Sequence, residues 1–589
     1  MNPQTKNCQN CKKDFTIEPD DFSFYEKIKV PAPTFCSLCR LKRRLIWRNE
    51  RTLYKRPCDM CKESILAAYH PSSPYKVFCA KCWWSDKWDP KSFGKDYDFS
   101  KPFFEQFNEL LISVPRIALV ETNNTDSQYC NYSIGNKNLY YSFASHYNED
   151  SGNLQYSNKM KQSFDCLHVG NSTRTIGSNY CERLYNCAYL TYAFDSSECI
   201  LGYDLHNCTN CIGCVNLRNA SYQIFNKQYS KEEYFKLKEQ LFLTNQSFEE
   251  VRTIFNNLRK NYPTPESYQK KCVDSLGNDL EETKSLSHCF SVKHAEDSKY
   301  IYVNAINIKN SMDANNLAAD PSEFVYESQG IAGSSNMKFC DASWNGDSFC
   351  TYCSICFSSQ NLFGCVGIKG SSYMILNKQY TKEEYEALVI KIIKHMNDMP
   401  FIDNRQRKYS YGEFFPEQIS LFAYNESIIS QYFPLSKEQA LEEGYRWIDK
   451  ELIDYKPTFT KDSYPTLSID VSLAQEIFAC SHQGNCQHQC PKAFRMNENE
   501  IITYREIGIP LPTLCPSCRH HERLLDRGGY TLLTNNCACS GKSDNSNIYL
   551  NTGLHLHDSS PCSKSFKTVF TKDLHPIVYC RECYQQEVV

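Results

Sequence analysis

A cysteine pattern written at both ends of the chain with the same internal spacing constrains its fold more than any other feature. Cys8-x2-Cys11 is followed, after 24 intervening residues, by Cys36-x2-Cys39, and Cys490 is followed across the same 24 by Cys515-x2-Cys518. A shift of 479 positions also superimposes Phe15 on Phe494, Tyr25 on Tyr504, Pro31 and Pro33 on Pro510 and Pro512, and Arg40, Arg44 and Arg48 on Arg519, Arg523 and Arg527. Each end then carries a second paired site. Cys58-x2-Cys61 and Cys79-x2-Cys82 are separated by 17 residues, and Cys562 and Cys580-x2-Cys583 repeat that separation at a shift of 501.

Four thiolates on two short loops satisfy tetrahedral Zn2+, a borderline-soft ion whose closed four-ligand shell needs no further chemistry. The spacing therefore predicts about four zinc ions. At the N-terminal end the ligand sets are Cys8, Cys11, Cys36, Cys39 and Cys58, Cys61, Cys79, Cys82. At the C-terminal end the first set is Cys486, Cys490, Cys515 and Cys518, opened by an irregular Cys486-x3-Cys490 loop. In the second, Ser559 stands where the first ligand is needed, so Cys539 or its neighbour Cys537 joins Cys562, Cys580 and Cys583. Whether Cys480 takes the place of Cys486 stays open, and His482, His488, His555 and His557 lie nearby without being assigned as ligands. Iron in a rubredoxin-like sulfur cage is the competing use of such sites. Disulfides compete as well, but the opening MNPQTKNCQNCKKDF has no apolar signal segment and no run approaches the ~18 apolar residues of a membrane span. A reducing, cytoplasmic setting is expected, where close CxxC pairs bind metal.

Net charge over 589 residues is only −3, yet residues 1–92 carry 18 Lys/Arg against 10 Asp/Glu. The excess is concentrated after Cys39, where Arg40, Arg43, Arg44, Arg48 and Arg51 recur at helical spacing and could form one phosphate-binding face. Leu41, Leu45 and Trp47 would then pack on the zinc core. The alternative is a helix whose arginines pair with carboxylates of a neighbouring segment. In the second copy Glu522 and Asp526 interrupt the positive face, which confines nucleic-acid binding to the N-terminal end. Trp83, Trp84 and Trp88 could stack on bases, or supply the core a small metal module lacks.

The middle of the chain is a second duplication. A shift of 151 aligns Cys199 with Cys350, Gly213-Cys214-Val215 with Gly364-Cys365-Val366, and NKQYSKEEY (226–234) with NKQYTKEEY (377–385). Ser230 with Glu233 and Thr381 with Glu384 form capping boxes that open helices running toward about residues 260 and 397. Within each half a looser rhythm of aromatic, Cys and Asn positions recurs every ~10–12 residues, which fits a β-solenoid with two such units per coil. A pair of antiparallel sheets is the competing fold. Cys208-x2-Cys211-x2-Cys214 and Cys350-x2-Cys353-x2-Cys356 resemble part of an iron–sulfur signature, but the 151 shift does not superimpose them, so they read as small buried residues.

No phosphate loop, dinucleotide fingerprint, nucleophile elbow or HExxH helix is present. Parallel β-helices host glycan-active enzymes with carboxylates on an exposed sheet, and Asp150, Asp165, Asp195 and Asp204 are the candidates for such a row. The run CxxC…PxPxxCxxCRxxRRxxxRN, then CxxC…VxCxxCW, NKQYxKEEY and the closing YCxxCYQQEV resemble a group of zinc-ribbon or treble-clef proteins from uncultivated, candidate-phyla bacteria. That resemblance implies zinc binding and a bacterial cytoplasm, and it offers no activity to carry over.

The expected chain is thus mostly β with short helices: a double zinc-ribbon or treble-clef module (1–92), a linker (93–120), two β-solenoid halves (121–262 and 263–398), a helical and extended connector (399–475) and a second double zinc module (476–589). The expected role is a non-enzymatic scaffold binding nucleic acid or protein, with no membrane contact.

Overall fold

The structure, a computed structural model, describes residues 2–589 apart from Leu243, Ala318, Ala319, Asn345, 450–455, 461–462, 465–468, Asp558 and Ser559. The described residues are mostly strand with short helices. They form two compact units, Met1–Leu119 with Tyr268–Asp449, and Val120–Ser267 with Lys450–Val589. The N-terminal cysteine-rich segment therefore shares a unit with the second half of the duplicated middle, and the C-terminal one with the first half. Sequence order does not suggest that exchange.

The middle of the second unit is a parallel ladder with a register of 12 residues. Thr125 pairs with Lys137, Lys137 with Glu149, Glu149 with Lys161 and Lys161 with Thr173, and the series continues to Thr209 with Ser221. One unit of the sequence rhythm is thus one full pairing period, in place of the expected two. A three-residue cycle explains why. Every third residue has a left-handed backbone, as at Asn123, Asp126, Asn138, Asp150 and Asn153, with glycine at Gly135 and Gly177. Asn, Asp and Gly tolerate that conformation best, which accounts for their recurrence.

The residue after each corner points inward, and this column holds Cys130, Leu139, Leu154, Cys166, Cys187, Cys199 and similar small side chains. Cys208, Cys211 and Cys214 are three successive inward positions of one period, all fully buried, and their thiols donate to the carbonyls of His206, Thr209 and Ile212. The CxxCxxC spacing is the three-residue cycle itself. Inward serines also satisfy backbone groups. Ser142 Oγ donates to the Tyr140 carbonyl and accepts the Leu154 amide one period on at 3.2 Å, pairing a buried N–H that the ladder leaves over.

The first unit contains a less regular ladder, with offsets between 11, at Gln269 and Leu280, and 14, at Met312 and Tyr326. Both ladders end alike. The Asn226 side chain takes the place of a further strand, accepting the Val215 amide and donating to its carbonyl, each at 2.8 Å, and Asn377 does the same for Val366. Each Asn is the second residue of a two-residue turn between short antiparallel strands. Both capping boxes then form, opening helices Lys231–Leu241 and Lys382–Asp398. After the first, helix Asn245–Lys260 continues the run under its own capping box.

The segment expected as a linker (93–120) falls, up to Leu119, in the first unit and contributes to its core. Helix Phe103–Ser113 buries Phe103, Phe104, Phe107, Leu110 and Leu111 on one face, a spacing of i, i+1, i+4, i+7 and i+8 that is amphipathic. Phe107 stacks on Phe415 of the 399–475 connector at 4.8 Å.

Candidate metal centres

The same local structure occurs four times. A two-stranded hairpin carries a loop with two cysteines, and a helix begins at a third cysteine and carries a fourth. The hairpins are Gln4–Asn7 with Asp14–Ile17, Tyr54–Pro57 with Ser64–Ala67, Phe478–Ala479 with Ala493–Phe494, and Leu533–Asn536 with Ser565–Thr568. The helices are Ser37–Leu45, Ala80–Trp83, Pro516–Leu525 and Arg581–Val588, capped by Cys36, Cys79, Cys515 and Cys580. Each capping cysteine donates its amide to the first thiol of the hairpin loop: Cys36 to Cys8, Cys79 to Cys58 and Cys515 to Cys480 at 3.3 Å, and Cys580 to Cys537 at 3.2 Å.

The four cysteines of each site bring their sulfur atoms within 4.8 Å of one another. The second loop sulfur lies 3.8 Å from the capping sulfur in Cys11–Cys36 and Cys490–Cys515, and 3.9 Å in Cys61–Cys79 and Cys562–Cys580. A tetrahedral ion with bonds of about 2.3 Å requires sulfur atoms about 3.8 Å apart, whereas a disulfide would bring them to about 2.05 Å. The donor set and its spacing fit a metal. Amide donation prepares the ligands: burial pushes the Cys58 thiol up, and the amides of Cys61, Cys79 and Met60 more than offset it, bringing it down to about 7, and a thiolate is the form that ligates. Without a cation the cluster opposes its own ionisation, since neighbouring Cys36 and Cys8 push the Cys39 thiol up.

Both expected N-terminal ligand sets are brought together. The C-terminal sets need correction. Cys480, not Cys486, completes the group with Cys490, Cys515 and Cys518, and Cys537, not Cys539, completes the group with Cys562, Cys580 and Cys583. Ser559, where the 501 shift puts the missing ligand, lies outside the described residues. The reason is an expanded hairpin loop. In the N-terminal sites the first cysteine amide bonds back five residues on, Cys8 to Lys13 and Cys58 to Glu63; its counterparts bond from Cys480 to Lys492 and from Cys537 to Lys564. The second loop cysteine still stands two residues before that partner in all four, so inserted residues push the first ligand upstream and out of CxxC register.

The expected phosphate-binding helix is also corrected. Arg40, Arg43, Arg44 and Arg48 are 2%, 0%, 0% and 5% exposed, and Arg51 is half-buried. Arg40 pairs with Asp313 at 2.8 Å, Arg43 bridges Glu327 and Glu413 at 2.8 Å each, Arg44 reaches Glu327 at 3.2 Å and Asn315 at 2.9 Å, and Arg48 pairs with Glu50 at 2.6 Å. Asp313 and Glu327 occupy neighbouring strands of the first unit's ladder, where the offset widens to 14. The arginines fasten the metal module to that ladder, as in the alternative reading of the helix, and Arg40, Arg43 and Arg44 do not form an exposed face. Burial holds the Asp313 carboxyl above its usual range, against the pull of Arg40 and Arg44. The second unit repeats the device: Arg519 pairs with Asp165 and with Glu500 at 3.0 Å, and Arg523 with Asp165 at 3.4 Å.

Leu41, Leu45 and Trp47 are buried as expected. Trp83 is buried too, and Lys369 sits over Trp83 and Trp88 at 4.0 and 4.5 Å, so these rings serve the core and only Trp84 is largely exposed. The carboxylate row does not form. Asp150, Asp165, Asp195 and Asp204 are left-handed corner residues; Asp165 and Asp204 are buried in ion pairs, and Asp195 is held by Arg183.

No family model matches the chain, and no curated protein matches it. Among solved structures it is similar to one described as an acetyltransferase from Desulfovibrio desulfuricans G20, at 9% identity over 50% of this chain and 86% of that one, with a TM-score of 0.10. At that level the likeness carries no argument about fold or activity.

Proposed function

We propose that the chain is a non-catalytic scaffold in which zinc-stapled, treble-clef-like modules are fastened to β-solenoids, and that its role is to hold a protein partner. The observation that carries this reading is the buried Arg40–Arg43–Arg44 cluster against Asp313, Glu327 and Glu413. It commits the basic helix to internal support. Sulfur-only tetrahedral sites favour zinc with a structural role. Free thiols throughout support a reducing compartment such as the bacterial cytoplasm, and among the described residues no helix is long and apolar enough to cross a membrane.

The test pairs two measurements on the full chain. Fluorescence anisotropy with single- and double-stranded oligonucleotides at 50 and 200 mM salt is expected to give no salt-sensitive complex, while affinity capture from the source cell is expected to return a stoichiometric protein. A complex with nucleic acid that weakens steeply with salt would restore the nucleic-acid reading.

A further inference from the structure

We infer that each C-terminal site holds two metal ions bridged by one thiolate, Cys518 in the first and Cys583 in the second, so the chain binds six ions rather than four. The inference rests on the metal-scaffold reading above and adds to it a different kind of centre. In the first site Cys518 belongs to two ligand groups at once. It completes the four-sulfur group with Cys480, Cys490 and Cys515, and it also lies with His482, Cys486 and His488 in a group whose donor atoms are all within 4.8 Å. The Cys518 sulfur is 3.9 Å from Cys480 on one side and 3.7 Å from Cys486 on the other, both the separation two ligands of one tetrahedral ion require, about 3.8 Å. A second, independent observation points to an ion: Nδ1 of His482 and Nδ1 of His488 are buried without a hydrogen-bond partner, a cost that a bound cation removes.

The second site has the same composition. Beyond its four-sulfur group, Cys539 Sγ lies 3.5 Å from His555 Nδ1, and His557 Nε2 lies 3.3 Å from the Cys583 sulfur, near the ~3.5 Å between a sulfur and a nitrogen on one tetrahedral ion. The remaining ring nitrogens are held as ligating histidines usually are. His555 Nε2 lies 3.2 Å from the Glu587 carboxylate and His557 Nδ1 lies 2.5 Å from the Ser560 carbonyl, which fixes the tautomers that turn Nδ1 and Nε2 toward the sulfur atoms. Both extra sets thus comprise one cysteine, two histidines and a shared helix cysteine. Both also come from the same place in the motif, the expanded loop between the first and second ligands. The N-terminal loops lack the insertion and lack the histidines.

The test is metal counting on the full-length chain by native mass spectrometry and elemental analysis, with 113Cd exchange to read the bridge. Six ions per chain are expected, five in H482A/H488A, five in H555A/H557A, and a 113Cd–113Cd coupling that only a shared sulfur transmits. Four ions, unchanged in both double variants, would overturn the inference while leaving the four-sulfur sites intact. Six ions without coupling would overturn the bridge. No bound metal in the folded chain would instead defeat the scaffold reading itself. Because a variant can fail through misfolding, each count is taken beside far-ultraviolet circular dichroism, and C486S, a smaller change in the same loop, is expected to lose one ion with the spectrum retained.

Discussion

The two ends of this chain start from one motif and diverge in a single loop. At the N-terminal end the hairpin loop is five residues long from first cysteine to return, and it makes closed four-sulfur sites. At the C-terminal end the loop is expanded in both copies, and each expansion brings one extra cysteine and two histidines beside a helix cysteine already in use. The hairpin and the capped helix are unchanged, down to the amide bond from the capping cysteine to the first sulfur. A small metal motif can gain ligands without being rebuilt, provided the insertion falls where the backbone only has to return to its partner strand.

That contrast can be broken first by removing metal. Structural zinc contributes on the order of 10 kcal/mol to a module of this kind, so chelation should abolish amide protection over residues 1–92 and 476–589 in hydrogen-exchange mass spectrometry while the 121–225 ladder keeps most of its own. Uniform loss would show that the ladders have no independent stability. The next sharpest contrast is Cys39→Ser against Cys518→Ser, equivalent helix positions in the two ends: the first should cost one ion per chain and the second two, by native mass spectrometry. Arg43→Ala removes the Glu413 ion pair but leaves Glu327 with Arg40 and Arg44 and Glu413 with Thr34, so its cost should reach at most the about 3–5 kcal/mol typical of breaking a buried pair. Arg519→Ala, which removes the Glu500 ion pair and leaves Asp165 with Arg523, should cost a similar amount in the other unit, read as a shift in urea midpoint. If only one of the two unfolds its unit, the fastening is not equivalent.

The smallest effect is the share of the pH slope that one carboxyl of the first unit, Asp347, contributes. Burial raises the Asp347 carboxyl from its usual range to about 7, against the Ser359 amide at 2.7 Å that favours its ionised form. Between about pH 4 and 7 the folded chain keeps a proton that the unfolded chain has lost. Stability therefore falls as pH rises through that window, by up to about 1.4 kcal/mol per pH unit. Asp347→Asn should make the slope shallower in denaturant melts at pH 5 and 7.5, while buried Asp341 and Glu500, raised to about 6 and about 7, keep part of it.

Much of this is legible in the sequence because it is local. Cysteine spacing yields both N-terminal ligand sets, the 151 shift yields the paired ladder ends, and Ser230 with Glu233 marks a helix start that forms as written. What the sequence hides depends on distance. The partners of Arg43 and Arg44 lie 271 to 370 residues away, and a count of basic residues cannot distinguish a free face from a buried one. The 12-residue period is visible but reads as half a coil, since strands of ordinary length need more residues per turn than a three-residue cycle of left-handed corners. Cys480 cannot be chosen over Cys486 from spacing alone because the inserted loop moves it out of CxxC register. The signal is present in Cys480-x-His482-x3-Cys486-x-His488-x-Cys490, five regularly placed donors in eleven residues.

The interleaving of the two units has a consequence for synthesis. Translation runs from the N-terminal side, so the ladder of residues 121–225 emerges before the 478–583 modules that complete its unit. The N-terminal module is translated first and must wait for Asp313, Glu327 and Glu413 before Arg40, Arg43 and Arg44 have counter-charges. Until residue 313 has been translated, then, the nascent protein carries these guanidinium groups without any of their counter-charges. Neither half can close independently of the other's translation, and a chain truncated near residue 450 leaves the first ladder without its seal.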